Sequence, residues 1–401
     1  MNDATKPLAG IRVIDLSRVL AGPYCGQMLA DMGAEVVKVE APQGDESRGW
    51  APLVGPESES AGFLSVNRGK RGITLNLRSA AGRDLLDRLL SRADVLVQNF
   101  LQGTAARLGV EPEALLARHP HLIVCSVSAY GARGPWRDRP GYDGILQAFS
   151  GLMGVTGEPD GGPVRIGASA VDMATGLIAF GGVMTALYAR AAGRPFERHV
   201  QTSLLEAGLS LLGFHAVGWL EGGILPRREG SSLWNLVPYQ AFRCADGAYI
   251  MTGALNDAAW RRLCEAIGRP DLRDDPRYAT PAQRVQERPT LVPIFEAAFA
   301  AAPAAEWVAR LESSGVAVSR INTMEDVFAH EQTLANDMAV AARREDGVAL
   351  RLLGLPFKLG PEARPAELAP PRLGEHTSAV LRDWLGLDAA QLAAMREAGA
   401  V

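Results

Sequence analysis

The 401-residue chain is 47% apolar and 21% charged, with a net charge of −4. Its length exceeds what one hydrophobic core sustains, so more than one domain is expected. Its acidic balance excludes nucleic-acid binding by bulk positive charge. Six His and four Cys withhold much of the common catalytic equipment. Cys25, Cys125, Cys244 and Cys264 stand far apart with no C-x-x-C pair. That argues against a zinc cluster or a redox couple and for buried thiols in a reducing compartment. The first ten residues lack the basic start and apolar stretch of a secretory signal, and no uninterrupted apolar run has membrane-spanning length. The expectation is a cytoplasmic protein without a metal and with neither nucleic acid nor membrane as partner.

Residues 11–16 read as a short apolar strand. Gly22-Pro23 then opens a helix, since proline is tolerated in a first turn, and Gly33 closes it. Strands are expected at 35–39 and 73–77. Ser79 caps a helix in which Leu85, Leu86, Leu89 and Leu90 recur at helical spacing. Strands at 95–97 and 122–125 follow, separated by helical stretches around 103–108 and 113–118. This alternation predicts an α/β domain, a parallel sheet with helices on both faces. From 131 to 167 the chain is rich in Gly, Pro and charge around one helix near 142–154. Helices at 173–192 and 203–222 come next, joined by a connector at 193–202. A strand at 249–252 with helices at 258–267, 288–302 and 305–314 reads as a small α+β domain. Prolines 361, 365, 370 and 371 mark an extended stretch over 360–371, and 376–385 and 389–398 are helical. The expected organisation is 1–222 as the N-terminal part of a large domain, 223–237 as a linker and 238–330 as the small domain. A second linker, 331–371, would lead to C-terminal helices, 372–401, that return to the large domain.

The phosphate-loop motifs that often accompany such a sheet are missing. The turn after the first strand reads Ser17-Arg18-Val19-Leu20-Ala21-Gly22-Pro23, not G-x-G-x-x-G, and the single Gly-Lys, Gly69-Lys70, lacks a P-loop frame. Dinucleotide and P-loop binding are therefore disfavoured. No H-E-x-x-H and no G-x-S-x-G occurs, and His119 and His121, flanking a proline, read as surface residues.

Several strings recur in a telling order: Leu8-Ala9-Gly10-Ile11-Arg12-Val13-Ile14-Asp15-Leu16, Ala21-Gly22-Pro23, and Met32-Gly33-Ala34-Glu35-Val36-Val37-Lys38-Val39-Glu40. They continue with Asn67-Arg68-Gly69-Lys70-Arg71, Ala93-Asp94-Val95-Leu96-Val97-Gln98-Asn99-Phe100, Val171-Asp172-Met173-Ala174-Thr175-Gly176 and Leu373-Gly374-Glu375-His376-Thr377. Together they resemble the family III CoA-transferases, the formyl-CoA and carnitine CoA-transferase (CaiB/BaiF) family, over nearly the whole chain. The resemblance implies a Rossmann-like large domain built from both ends of the chain, a small domain between them, and an interlocked homodimer.

It also gives Asp172 two compatible readings. The residue precedes a long apolar helix and can serve as its N-cap. In the family, the Asp at this position is the nucleophile, and a carboxylate near a helix N-terminus is expected to stay ionised. The implied chemistry exchanges acyl groups between anions through an aspartyl anhydride and an aspartyl-CoA thioester, and needs no general base. For coenzyme A, handled as the acyl-CoA substrate, the matching positions are Leu20, Ala21, Leu75, Asn76, Arg78, Asn99, Phe100, Arg107 and Tyr142. Oxyanion donors are sought in the glycines of 157–167 and in Gly230-Ser231-Ser232. Leu20 stands where the oxalate-handling branch has Gln, and Ala41 and Pro140 replace basic residues there, so oxalate is disfavoured as acceptor. A small dicarboxylate with succinyl-CoA as donor is expected instead, its distal carboxylate met by Arg48, Arg71 or Arg165. The rival α-methylacyl-CoA racemase needs a Gly-His-Asp string, and this chain has Gly141-Tyr142-Asp143. Tyrosine, with a reference pKa near ~10, is a poor base at neutral pH. A non-catalytic acyl-CoA-binding protein is the other alternative, and an intact Asp172 argues against it.

Overall fold

The computed structural model describes residues 6–360 and 365–401. The short apolar runs of the N-terminal part form a six-stranded, all-parallel sheet. Its strands are β1 (Arg12–Asp15), β2 (Glu35–Glu40), β3 (Lys70–Thr74), β4 (Val95–Gln98), β5 (Ile123–Ser128) and β6 (His199–Ser203). They lie side by side as β3-β2-β1-β4-β5-β6, with Ile14 of β1 opposite Val37 of β2 and Leu96 of β4. Val13, Ile14, Val37, Leu96, Val97 and Val124 are fully buried, as the strands of a sheet covered on both faces must be.

Four helices matter for the site: α1 (Ala21–Asp31), α2 (Ala80–Leu90), α3 (Asp143–Phe149) and α4 (Ala170–Ala191). One face of the sheet is covered by α1 and α4, through Cys25, Leu29, Val171, Ala179 and Val183 against Val13, Val95 and Val97. The opposite face takes α2 and the C-terminal helices Thr377–Leu385 and Ala389–Glu397, through Leu85, Leu89, Val380, Leu381 and Leu392. Ser79 caps α2, its Oγ accepting the Gly82 N–H at 2.9 Å. The long apolar helix α4 is thus a core helix whose Val171, Thr175, Ala179, Val183 and Ala186 line one stripe. It approaches α1 very closely at Gly176, where a Cβ would fall 2.6 Å from the Ala21 carbonyl oxygen and 3.0 Å from the Tyr24 side chain.

Three local readings change. The connector expected at 193–202 contains β6, an edge strand hard to see because Val200 is its single strongly apolar residue. Its strand β3 starts at Lys70, earlier than hydrophobicity suggests, because Lys70 is buried by ion pairing. His119 is buried, with Nε2 2.9 Å from the Asp87 carboxylate, and does not lie on the surface.

Contacts group the described residues into two units. The first takes in the described residues of 6–152, 165–217 and 331–401, and the second Met153–Val164 and Gly218–His330. Part of 331–371, expected as a linker, is a hairpin in the first unit, Ala339–Arg343 paired with Ala349–Leu353. An Asp346-Gly347 turn between alternating apolar residues accounts for it, and Ala342 and Leu350 pack with Leu64 and Ala369. Pro361, part of the expected extended stretch, lies outside the described residues. The second unit carries a three-stranded antiparallel sheet with Tyr249–Gly253 between Tyr239–Arg243 and Val318–Arg320. Phe242, Trp260, Phe295, Phe299 and Trp307 form its core.

Candidate active site

The strand order reverses between β1 and β4, and in such sheets ligands bind in the crevice beyond the carboxyl ends of those two strands. The loop leaving β1 runs through Ser17, Arg18, Val19 and Leu20 into α1. Across the crevice, Asn99 follows β4 and ties the two sides together. Its Oδ1 accepts the Arg18 N–H and its Nδ2 donates to the Arg18 carbonyl, both at 2.9 Å. Leu20 is half-buried and Ala21 buried at the mouth of α1. The close contact of the Ala21 carbonyl with Gly176 brings α4 beside this loop, and Asp172 lies one turn, about 6 Å, before Gly176 along the helix axis.

Asp172 is the third residue of α4, not its N-cap. Ser169 occupies the cap position without a side-chain bond. The cap comes from α3: Asp143 Oδ1 accepts the N–H groups of Val171 at 2.9 Å and Asp172 at 3.1 Å. Gln147, one turn along α3, donates to Asp143 Oδ2 and accepts the Ile166 N–H at 2.8 Å. A buried amide thus joins the capping carboxylate to the loop that leads into α4. With its helix already capped, the Asp172 carboxyl has no hydrogen-bond partner among the described residues. Burial, and secondarily the Asp143 charge, push its pKa from 3.8 up to about 7. Burial and a like charge thus act against the ionised form that a helix N-terminus favours. Asp143 and Gln147 escaped the sequence reading. The Gly141-Tyr142-Asp143 string carries the signal, since Asp143 opens α3 directly after Tyr142.

The remaining expected residues divide. Phe100 is half-buried, with the Arg18 guanidinium 5.9 Å above its ring, and its N–H is fixed by Gln98 at 2.7 Å. Tyr142 is 56% exposed just ahead of α3, its phenol open to a ligand. Leu75 is fully buried in the core, so its side chain can meet no ligand, and its N–H is taken by the Glu40 carbonyl. Asn76 is committed to its own turn and the C-terminus, donating to Gly399 O at 3.0 Å and accepting the Arg78 N–H at 3.2 Å. The exposed Arg78 guanidinium has no carboxylate partner among the described residues. Among the described residues Arg107 bonds within its own turn, to Gly103 O and Thr104.

Of the three arginines considered for a distal carboxylate, two are occupied. Arg48 is paired with Glu40 at 2.7 Å and stacked on Phe63 at 3.8 Å. Arg71 is paired with Glu35 and Asp383. Arg165 is exposed and, among the described residues, hydrogen-bonds to the carbonyls of Ile166 and Gly167, each at 3.3 Å. Among the oxyanion candidates, the Gly230 N–H is already donated to Gly157 O at 2.9 Å.

Fold and site define a class: a doubly wound α/β protein with a buried carboxyl beside its switch-point crevice. The chain belongs to CoA-transferase family III, whose family model matches residues 8–377. It is 43% identical to an acyl-CoA transferase of Fusarium pseudograminearum over 98% of this chain and 88% of that one. A succinyl-CoA:glutarate CoA-transferase of Mus musculus is 39% identical over 96% of this chain and 88% of its own. Among solved structures, a CaiB/BaiF family protein from Brucella suis superposes with a TM-score of 0.83 at 36% identity, covering 94% of this chain and 99% of that one. The protein is thus a CoA-transferase, acting between acyl-CoA and carboxylic acids.

Proposed function

We propose that the protein transfers coenzyme A from succinyl-CoA to a small dicarboxylate, with Asp172 as the nucleophile. The observation that carries the proposal is the state of Asp172: buried, with its helix capped by another residue and its own oxygens unpartnered at the crevice. In the ionised form, one of its oxygens attacks the thioester carbonyl. The C–S bond breaks, CoA thiolate leaves and a mixed anhydride forms. The thiolate then attacks the Asp172 carbonyl and expels the donor's carboxylate, which leaves an aspartyl-CoA thioester. The acceptor carboxylate attacks that thioester and releases the thiolate again. Thiolate attack on the acceptor's carbonyl completes the new acyl-CoA and frees Asp172. Every nucleophile is an anion, so the cycle needs Asp172 ionised at the start and water kept away from the anhydrides.

Leu20, Ala21, Asn99, Phe100 and Tyr142 border the proposed acyl-CoA crevice, and Arg78 and Arg107 are the proposed phosphate contacts. Arg165 is the proposed reader of a distal carboxylate, because Arg48 and Arg71 are saturated. Succinyl-CoA and glutarate are the first pair to assay, since relatives carrying those names align over nearly the whole chain. The family's homodimer is proposed as well, in keeping with exposed Phe214, Val217 and Leu220 on one short helix. Asp172→Asn is expected to abolish succinyl transfer to glutarate while CoA binding persists, and hydroxylamine is expected to trap the wild-type intermediate on Asp172. Transfer surviving in Asp172→Asn overturns the assignment. So does α-deuterium uptake by an (R)-2-methylacyl-CoA in heavy water without any acceptor acid.

A further inference from the structure

The loop that leaves β1 contains a backbone anomaly. Val19 has φ +70°, a left-handed conformation that is unfavourable for a β-branched residue and persists only when its surroundings enforce it. Besides Asn99, which holds both backbone groups of Arg18, the enforcing groups are charged and buried. Asp45 accepts the Val19 N–H, at 3.2 and 3.4 Å to its two oxygens. Lys38 pairs with Asp45 at 3.1 Å, both side chains fully buried, and also donates to the Ser17 carbonyl at 3.0 Å. On the other side of the loop, Asp15 accepts the Ser17 N–H at 3.0 Å and the Ser17 hydroxyl. Lys70, equally buried, pairs with Asp15 at 2.8 Å and spends its other protons on Pro23 O and Asn67 Oδ1. Two buried lysine–aspartate pairs thus meet under one five-residue loop, and Asp45 also caps the short helix Glu46–Gly49, its Oδ1 accepting the Ser47 N–H at 3.0 Å and the Ser47 hydroxyl at 2.9 Å. Buried ion pairs of this kind contribute little net stability compared with apolar replacements, so their presence calls for a different reason.

We infer that the Lys38–Asp45 pair is a positioning device for the transfer reaction, holding Val19 left-handed so that the β1–α1 loop keeps the shape of the acyl-CoA crevice. Asp45 acts through Val19 and is not a catalytic residue. The inference rests on the proposed acyl-CoA crevice. It also gives a role to Lys38, a fully buried basic residue of the matching strings. Without the pair, the loop relaxes toward negative φ, and the binding-competent form becomes a minor population. Apparent affinity falls by that fraction.

The test replaces the pair by apolar residues of similar size, Lys38→Met with Asp45→Leu, which avoids stranding one buried charge. Affinity for CoA is read by calorimetry. KM for succinyl-CoA, KM for glutarate and kcat are read from transfer, and folding from a thermal melt. The expected result is a roughly tenfold or greater rise in the CoA Kd and the succinyl-CoA KM, with the glutarate KM within about twofold and a cooperative melt retained. Adding Val19→Gly to the double variant is expected to restore the CoA Kd to within a few-fold of wild type, because glycine populates φ > 0 about as readily as φ < 0. Should the double variant fail to fold, Asp45→Asn with and without Val19→Gly reads the same rescue. Unchanged CoA affinity in the folded variant, or a loss that Val19→Gly does not repair, overturns the inference. If wild type neither binds CoA nor transfers it, the crevice assignment itself is wrong and the inference falls with it.

Discussion

Replacing Asp143 by Asn separates the two things this residue does. The amide oxygen still accepts the Val171 and Asp172 N–H groups, now at 2.9 and 3.1 Å, while the negative charge beside Asp172 disappears. Asp172 stands at about 7, against an ordinary 3.8, with burial the larger cause and the Asp143 charge the smaller. Removing the smaller cause takes away less than half of that rise. The acid limb of the pH profile of kcat/KM should therefore move down by at most about 1.5 pH units, equivalent to about 2 kcal/mol. At pH 6 this corresponds to up to about eightfold more ionised Asp172, the proposed nucleophile. The new amide nitrogen faces Gln147 Nε2, a donor now bonded to Asp143 Oδ2, so a stability loss of about 1–3 kcal/mol is expected in a denaturant melt. The two effects have opposite signs at low pH: a less stable protein with a faster chemical step. The assay is thioester transfer from pH 5 to 8 with stability followed in parallel. An acid limb that stays in place or moves up, or a wild-type profile flat across this range, refutes the reasoning.

Three further outcomes are expected. Gly176→Ala puts a methyl 2.6 Å from the Ala21 carbonyl oxygen. It should cost about 1–3 kcal/mol of stability in a urea titration and lower kcat by shifting α4 against the crevice loop. Arg165→Gln should raise the glutarate KM at least about tenfold, the order of a lost charged hydrogen bond, with the succinyl-CoA site still saturable and monocarboxylate acceptors unaffected. His376 accepts the Gly72 N–H on Nδ1 at 3.0 Å, and its buried Nε2 has no partner among the described residues. Burial holds its pKa below the ordinary 6.5, against the opposing pull of Glu375 and Glu345. The unfolded chain therefore takes up the proton first, and stability should fall as pH drops below about 6.5. Asp172 contributes in the opposite direction over the same range and His199 in the same one. The measurement is therefore urea unfolding of Asp172→Asn from pH 8 to 5, where His376→Gln should flatten part of the slope.

The parts of the fold legible in the sequence are those whose burial is apolar. Leu85, Leu86, Leu89 and Leu90 announce α2, and runs such as Val95-Leu96-Val97 announce central strands, because both faces of the sheet are covered. Polar burial hid the rest. Lys70 is as deeply buried as any leucine, yet periodicity places it outside β3. β6 is an edge strand whose His199 and Gln201 leave only Val200 to betray it. The hairpin Ala339–Arg343/Ala349–Leu353 was masked by the prolines that follow it. At the site, motif matching located Asp172 but not its environment, because its cap comes from Asp143, 29 residues away. Capping rules look for a partner within one turn, and a cap in trans leaves no local signature. Leu75 shows the converse: a matched position can lie in the core and offer a ligand only backbone.

On the proposed mechanism, the basicity of Asp172 has a consequence for the anhydride. Thiolate can attack either of its carbonyls, and the choice depends partly on which carboxylate leaves more readily. Attack at the Asp172 carbonyl expels the donor acid, whose pKa is close to the ordinary ~4.3 of an exposed carboxyl. Attack at the donor carbonyl expels Asp172, a stronger base at about 7, and regenerates the starting acyl-CoA. Burial and the Asp143 charge therefore favour the forward direction in the first half-reaction. They work against the second half, in which thiolate must expel Asp172 from the acceptor anhydride. The aspartyl-CoA thioester then lies in a free-energy well between the two anhydrides, and the well deepens as Asp172 becomes more basic. Such an enzyme waits in its least water-sensitive covalent state, a thioester, until an acceptor arrives. By this logic Asp143, held in place by two capping bonds and the smaller cause of the raised pKa after burial, adds to the forward bias of the first exchange without dominating the last.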